Sequence, residues 1–242
     1  MLFSLFLDKA NYLFYNQNGY APSVTQFKKG VVFMPPKAKF SKEEIVDAAL
    51  NIVGERGEAA LSTREIAAVL GVSTRPIFTY FSTMNELKAE VEKAAAEVYR
   101  EYTESGLKEK DPLLGFDMKH IDFAKNEPNL YKMLFLPHKP KGEKAAFNLF
   151  ESIHPHVIES IMKTYTMERP AAEDYMKKML VICQGFAAMI ISGNCPFEES
   201  EIAELGSYFS LALCKAYKDI QGFAEGTADL EKEFGKIVLP KE

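Results

Sequence analysis

Residues 61–80 of the chain read LSTREIAAVLGVSTRPIFTY, and this stretch combines a helix start, a tight turn and a second helix start. Ser62 opens a capping-box pattern, which predicts the beginning of a helix. Gly71 suits the left-handed backbone conformation in which many helices end. Ala67 allows two helices to cross closely, and Ile77 can fill the space between them. This spacing predicts a helix-turn-helix.

Further helix signals lie on both sides of this stretch. Capping boxes predict an amphipathic helix over residues 41–57 and a long helix over residues 83–105. Between them, Ser73 can cap a short helix with Pro76 in its first turn, where the missing N–H costs little. The chain from residue 40 therefore predicts a small helical module.

The short helix after Gly71 presents polar side chains and no acidic ones. In a chain with 34 Asp and Glu residues, an acid-free face of this size suits a groove lined by phosphates. The alternative is an ordinary corner between two helices in an all-helical protein. The residues predicted on this face are Ser73, Thr74, Arg75, Thr79 and Tyr80.

Residues 40–88 resemble the DNA-binding domain of the tetracycline-repressor (TetR) family. The resemblance implies an all-α fold: an N-terminal three-helix helix-turn-helix domain and a larger helical domain for ligand binding and dimerisation. It implies a recognition helix over residues 74–80, with Thr74 and Arg75 facing base edges. The full set of implied DNA contacts is Ser62, Thr63, Arg64, Ser73, Thr74, Arg75, Pro76, Phe78, Thr79, Tyr80 and Lys88.

Three positions depart from the family pattern. Arg75 stands where a small residue is common, so it can add a contact to guanine. Phe78 replaces a tyrosine and loses one phosphate hydrogen bond. Met84 stands where a phosphate-binding lysine is frequent, which leaves Lys88 as the substitute. With seven basic and seven acidic residues in 34–88, we expect moderate DNA affinity that depends on dimerisation.

Residues 1–33 contain eight aromatic residues but neither helical nor strand periodicity. The codons for residues 28–31 can contain a ribosome-binding sequence, which would lie shortly before the codon for Met34. We therefore expect translation to start at Met34 and residues 1–33 to be mis-annotated upstream sequence or a disordered extension. The alternative is a genuine arm whose lysines contact DNA. The intact mass of protein expressed from the native gene distinguishes the two.

The composition is that of a globular protein, with 47% hydrophobic residues and a formal net charge of −5. It excludes dominant disorder, and no apolar run is long enough to span a membrane. The three cysteines are too few for a disulfide framework, and an odd number cannot all pair. This favours a reducing cytoplasm. The acidity lies in residues 89–242, as expected for a neutral DNA-binding domain at 34–88 on an acidic body.

The body, residues 89–220, remains helical in pattern, with helices predicted over 112–126, 129–136 and 143–165. Aromatic residues and methionines on these helices can line an apolar pocket, although plain core packing is the alternative. The predicted pocket residues are Phe116, His120, Phe123, Tyr131, Phe135, Phe150, Met179 and Cys183.

Two further helices, predicted over 171–192 and 200–220, are apolar on more than one face, which indicates two packing partners each. One partner is the chain's own core and the other a second copy of the chain, as the family resemblance also implies. The predicted dimer-interface residues are Phe186, Ala187, Ile190, Leu205, Phe209 and Ala212. Residues 221–242 are expected to form a tail or a short helix.

Motifs of catalysis, metal binding and cofactor binding are absent, and the sequence His154-Pro155-His156 lacks a third ligand nearby. We expect no enzyme activity, no metal and no cofactor. The sequence predicts a homodimeric repressor that binds a palindromic double-stranded DNA operator and is released by a small apolar or aromatic effector. The alternative is a DNA-bound adaptor whose body binds a protein instead.

Overall fold

The computed structural model of the chain describes residues 40–136 and 155–238. Within these two ranges all regular secondary structure is helical, which confirms the predicted fold class. The predictions for residues 1–33, for Phe150 and for the first part of the helix at 143–165 lie outside the described residues.

The N-terminal part of the described chain, which we call the head, is built from the first helices in the order that the sequence predicts. These are α1 (Lys42–Arg56), α2 (Thr63–Leu70), α3 (Arg75–Tyr80) and the long α4 (Met84–Glu104). The body contains α5 (Pro112–Asn126), α6 (Pro128–Phe135), α7 (Pro155–Tyr165), α8 (Arg169–Ile191), α9 (Glu199–Asp219) and α10 (Leu230–Ile237). Among these helices, none is both long and apolar enough to cross a membrane.

The helix starts in the head follow the predicted capping pattern only in part. At α1 the box is complete, because Ser41 N–H donates to Glu44 Oε2 (2.7 Å) and Glu44 N–H donates to Ser41 Oγ (3.1 Å). At α2 only one half forms. Ser62 Oγ accepts from the N–H of Glu65, but the Glu65 carboxylate binds Arg56 Nη1 at 2.7 Å. A competing cation on α1 therefore removes half of the second box.

The prediction that Ser73 caps α3 is wrong. The helix begins at Arg75, its N-cap residue is Thr74 with helical backbone angles, and no side chain caps it. Gly71 adopts the predicted left-handed conformation (φ 64°, ψ 37°). The N–H of Val72 then bonds to the carbonyl of Ala67 at 2.9 Å. Backbone hydrogen bonds close this turn, and the helical backbone of Thr74 moves the helix start one residue past the predicted cap.

A continuous apolar core joins the head to the body. Ile66 and Ile77 are buried between α2 and α3, as the spacing predicts, and Leu87 of α4 packs in the same cluster. The same cluster continues along α4 to Tyr99 in the body. A second link runs from α6 to α1, where Asn129 Nδ2 donates to the Gly54 carbonyl at 2.9 Å. Head and body are thus mechanically connected through α4 and α6.

Two glycines allow the start of α5 to lie directly against the 3₁₀ turn that precedes it. A Cβ atom built on Gly115 lies 2.3 Å from the carbonyl oxygen of Gly106, and backbone cannot move aside as a flexible side chain can. We expect Gly115→Ala to destabilise the fold by about 1–3 kcal/mol, because overpacking here forces backbone shifts. The free energy of unfolding in urea measures this.

The matched control is Gly54→Ala, since Gly54 also lies inside a helix and has open space around its Cβ position. Alanine is the better helix former, so this variant is expected to be as stable as the wild type or up to about 1 kcal/mol more stable. Equal stability of Gly115→Ala and the wild type would contradict the close approach.

Candidate functional site

The outer surface of α3 is free of carboxylates and carries one exposed aromatic ring, that of Phe78. Between Glu65 and Glu86 the sequence contains no Asp or Glu, so no acidic side chain lies on α3 or on the turns beside it. Ile77 is 1% exposed and holds the inner side of α3 against the head core. The exposed residues of this surface are Ser73, Arg75, Phe78 and Thr79.

The positive charge of this surface comes from Arg75 on α3 and Arg64 at the start of α2, both of which are exposed. No carboxylate of the described residues pairs with either guanidinium group. By contrast, Arg56 pairs with Glu65 at 2.7 Å and Lys42 with Glu90 at 3.5 Å. The unpaired cations of the described head are therefore those beside the helix-turn-helix, where they remain available to bases or phosphates.

Two predicted contact residues have other partners in the structure. Lys88 Nζ lies 3.0 Å from the carboxylate of Glu58, so it reaches a phosphate only by leaving this ion pair. The hydroxyl of Tyr80 donates to the carbonyl of Phe40 at 2.9 Å. Tyr80 thereby ties the end of α3 to the chain just before α1. Neither partner was evident from sequence, because both hydrogen bonds span 30 residues or more.

The other predicted contact residues surround Arg64 and Arg75. Ser62 is the N-cap of α2, and Thr63 is half-buried beside it. Thr74 and Pro76 are half-buried in the first turn of α3. The Thr79 hydroxyl donates to the Arg75 carbonyl within the same helix, at 3.3 Å. Apart from the buried side of Pro76 and the two threonines beside the turns, these residues stay at the surface of the head.

The predicted pocket residues are packed inside the body. Those within the described residues are each 5% exposed or less, but they belong to different parts of the core. Phe123, Tyr131 and Phe135 pack in the cluster shared with the head, whereas Phe116 and Met179 pack in a second cluster. Ring centroids of Tyr131 and Phe135 lie 4.8 Å apart. The structure therefore shows close packing at these rings.

A chain of hydrogen bonds crosses the interior between four helices. The Tyr99 hydroxyl lies 2.8 Å from His120 Nδ1, and His120 Nε2 lies 3.0 Å from the Tyr131 hydroxyl. The Tyr131 hydroxyl donates to Gln184 Oε1 at 2.7 Å. Because that hydroxyl gives its proton to Gln184, the His120 ring donates from Nε2 and accepts at Nδ1. The buried amide nitrogen of Gln184 has no hydrogen-bond partner in the described part of the chain.

A carboxyl group lies next to this chain of hydrogen bonds. Asp117, on the same helix as His120, is half-buried. Burial raises the pKa of Asp117 to about 7, and the nearby Asp111 carboxylate acts in the same direction. Burial also raises the pKa values of Cys183 and Tyr99, to which the charge of Asp117 contributes.

Tyr99, Asp117 and Gln184 were not predicted from the sequence as interior polar residues. A signal for Tyr99 was present, since α4 buries a residue at every fourth position from Leu87 to Thr103. Asp117 stands three residues before His120, on the same side of α5, which also placed it toward the interior. Gln184 offered no comparable signal.

The dimer prediction needs correction at two residues. Phe186 is 5% exposed and Ala187 is fully buried, because both face the chain's own core. Ile190 and Leu205 are half-buried, whereas Phe209 and Ala212 are exposed as expected for an interface. The exposed apolar surface of α8 and α9, which we call the α8–α9 face, consists of Val181, Ala188, Tyr208, Phe209, Leu211 and Ala212.

This head, an exposed acid-free helix that follows a left-handed glycine turn, has the geometry of a helix-turn-helix, and it is joined to an all-helical body. Residues 45–91 match the family of bacterial regulatory proteins, tetR family. This match confirms the resemblance that residues 40–88 carry. Comparison with functionally curated proteins gave no match.

Solved structures of similar fold extend the likeness to the body. A tetR-family transcriptional regulator from Streptomyces coelicolor has a TM-score of 0.57 at 18% identity over 73% of this chain and 82% of its own. A putative transcriptional regulator from Pseudomonas aeruginosa PAO1 gives 0.56 at 13% identity over 73% and 92%. A TetR-like regulator from Rhodococcus sp. RHA1 gives 0.52 at 15% identity over 74% and 96%. The chain therefore has the fold of TetR-family transcriptional regulators.

Proposed function

We propose that the chain is a non-enzymatic transcriptional repressor that binds a palindromic operator as a homodimer and releases it when a small effector enters the body. The observation that carries this proposal is the outer surface of α3, which is exposed and acid-free and carries Arg75, whose guanidinium group pairs with no carboxylate of the described residues. Such a surface suits the major groove, where phosphates surround the base edges.

Dimerisation is supported by the α8–α9 face, which is exposed although it is apolar. Small residues such as Ala188 and Ala212 allow a second pair of helices to approach it closely. A twofold dimer would present two copies of α3, and successive major grooves require them about 34–36 Å apart.

The connection between head and body gives a route by which an effector in the body could release the operator from the heads. Leu87 at the start of α4 packs in the head core, whereas Tyr99 near its end joins the hydrogen-bond chain of the interior. An effector that shifts α4 would change the spacing of the two heads. A coupling of about 1–3 kcal/mol between effector and operator binding is sufficient.

Arg75 is expected to read one base of each half-site. We expect Arg75→Ala to lose about 1–3 kcal/mol of discrimination at one position per half-site, because the bidentate contact to guanine disappears. The measurement is selection of duplexes from a random library by wild-type and variant protein, followed by affinity measurements on matched operators.

Two further variants isolate the role of the guanidinium group. Arg75→Lys keeps the charge and removes the planar pair of donors, so it is expected to lose the base preference while retaining more affinity. Lys218→Ala removes one exposed charge from α9 and is expected to select the same duplexes as the wild type. An unchanged preference in Arg75→Ala would exclude the base-reading role.

One observation favours a second candidate function, a DNA-bound adaptor whose body binds a protein. The helix α10 leaves a whole apolar side exposed, formed by Leu230, Phe234, Ile237 and Val238. Loss of a captured protein after Phe234→Asp, with operator binding and dimerisation intact, would support this candidate.

A further inference from the structure

One aromatic side chain of the head is exposed although the apolar residues that flank it are buried. Phe78 on α3 is 54% exposed, whereas Ile77 and Phe81 are each 1% exposed. Phe78 takes no part in the core of the head, which is filled without it. A single exposed apolar residue is common on protein surfaces and indicates no function by itself. What the ring can do depends on the surface around it.

Two polar side chains next to Phe78 direct their hydroxyl protons back to the chain. The Thr79 hydroxyl donates to the carbonyl of Arg75 at 3.3 Å. The Tyr80 hydroxyl donates to the carbonyl of Phe40 at 2.9 Å. Neither proton is therefore offered to an acceptor on a base or a phosphate. At this part of α3, the group that faces outward is the apolar ring of Phe78.

Arg75 brings this ring close to a base that a guanidinium group can read. Phe78 follows Arg75 by three residues, so the two exposed side chains lie on the same side of α3. Three helical residues rise by about 4.5 Å, and successive base pairs are about 3.4 Å apart. A helix that places Arg75 at one base pair therefore brings Phe78 within reach of the next. No Asp or Glu lies between Glu65 and Glu86 to repel the DNA.

The major groove offers such a ring one kind of apolar partner. Base edges present hydrogen-bond donors and acceptors there, and thymine adds its 5-methyl group. A phenyl ring has no donor or acceptor with which to read the polar groups. Its burial is favourable where it covers the methyl group and removes apolar surface from water. A 5-methylcytosine carries the same group at the same position of its ring.

We propose that Phe78 reads a 5-methyl group on the pyrimidine of the base pair next to the guanine contacted by Arg75, in each half-site. Thymine and 5-methylcytosine both carry this group and are recognised alike by the ring, whereas unmethylated cytosine is not. This inference rests on the proposed function, because it assigns a further specificity-determining residue to the same DNA-binding surface.

The first test removes single methyl groups from the DNA. The full-length protein selects duplexes from a random library, and each thymine of the best duplex is then replaced in turn by deoxyuridine, which lacks only the 5-methyl group. At one thymine position per half-site, next to the guanine, we expect replacement in both half-sites to weaken binding about 15-fold. This corresponds to about fourfold for each methyl group lost from an apolar contact. Fluorescence anisotropy at one salt concentration measures the affinities.

Three variants identify the side chain that responds. Phe78→Ala removes the ring and is expected to bind the thymine and deoxyuridine duplexes equally. Phe78→Leu restores an apolar side chain and is expected to prefer the thymine duplex again. Val69→Ala is the matched control, because Val69 on α2 is an apolar residue of the same head that is 57% exposed. It is expected to keep the wild-type preference, and circular dichroism verifies that all three variants are folded.

A second test separates the methyl group from the rest of the thymine–adenine pair. At the sensitive position of both half-sites, a duplex with cytosine opposite guanine is compared with one that has 5-methylcytosine there. The wild type is expected to bind the methylated duplex about 15-fold more tightly, and Phe78→Ala is expected to bind both equally. Equal binding of the two duplexes by the wild type would show that the methyl group is not what the protein recognises.

The proposal is also overturned if no thymine responds to replacement by deoxyuridine, or if Phe78→Ala responds as the wild type does. Its failure is distinct from failure of the proposed function. A protein that selects no duplex would overturn both. A protein that selects a palindromic duplex but tolerates every deoxyuridine replacement would overturn only the role of Phe78.

Discussion

Replacing Val181 and Leu211 together by aspartate is expected to produce a folded monomer that binds the operator at least about 100-fold more weakly than the wild type. Both side chains are about 60% exposed in the single chain, so the substitutions leave its core intact. In a dimer formed through the α8–α9 face, four carboxylates would lie in an apolar seam, where unpaired charge is costly. Sedimentation equilibrium measures the mass, and fluorescence anisotropy measures operator affinity.

The loss of affinity follows from the loss of the second head. A monomer contacts one half-site only, whereas in a dimer the second head binds as an intramolecular event at high effective concentration. The matched control is Phe234→Asp, which places a charge at a 62% exposed apolar residue of α10 instead. It is expected to remain dimeric and to bind the operator normally. A dimer that survives Val181→Asp/Leu211→Asp would mean that the seam lies elsewhere.

The second large effect concerns stability as a function of pH. In the folded protein the pKa of Asp117 is about 7, raised by burial from an ordinary value of 3.8. The folded state therefore favours the protonated carboxyl. This contribution to stability is complete below about pH 4 and is lost as the pH rises through 7. At about 1.4 kcal/mol per pKa unit, the loss amounts to a few kcal/mol.

Asp117→Asn has no proton to lose and is expected to escape this loss. Relative to the wild type, the variant should gain a few kcal/mol between pH 4 and pH 8. Urea unfolding at several pH values in this interval measures the difference. A constant difference across the interval would mean that Asp117 ionises as an exposed aspartate does.

Asp174, a carboxyl group whose pKa is lowered rather than raised, provides the control. Burial acts upward on the pKa of Asp174, but hydrogen bonds from Lys178 and Tyr217 outweigh it and lower the pKa. Asp174 therefore contributes stability above its unfolded pKa of 3.8, which is lost as the pH falls through its folded pKa. Asp174→Asn should be less stable than the wild type at neutral pH, and the difference should disappear in acid.

The head could be predicted almost completely from sequence because its signals are local. The cap at Ser41, the left-handed Gly71 and the buried Ala67 and Ile77 act within a turn or two of helix, and the structure confirms each of them. The prediction failed at Ser73, where the backbone of the turn determines the helix start. It was incomplete at Glu65, where Arg56 from another helix competes for the carboxylate.

The sequence alone could not predict which residues of the body face its interior and which face outward. Sequence periodicity indicated that α8 is apolar on more than one side, but it could not determine which side turns outward. Phe186 and Ala187 face the core, and Val181 faces outward, because neighbouring helices cover one side of α8 and leave the other open. The same reason applies to Asp117, whose burial depends on helices that are distant in sequence.

The helical class, the positions of most helix ends and the helix-turn-helix with its acid-free second helix could all be predicted from the sequence. These properties depend on caps, glycine conformation and periodicity, which operate between residues a few positions apart. Which arginines pair with a carboxylate of the described residues, and which apolar side of α8 is open, depended on the tertiary structure. Those properties depend on the packing of distant helices, which determines both the solvation and the charged neighbours of each side chain.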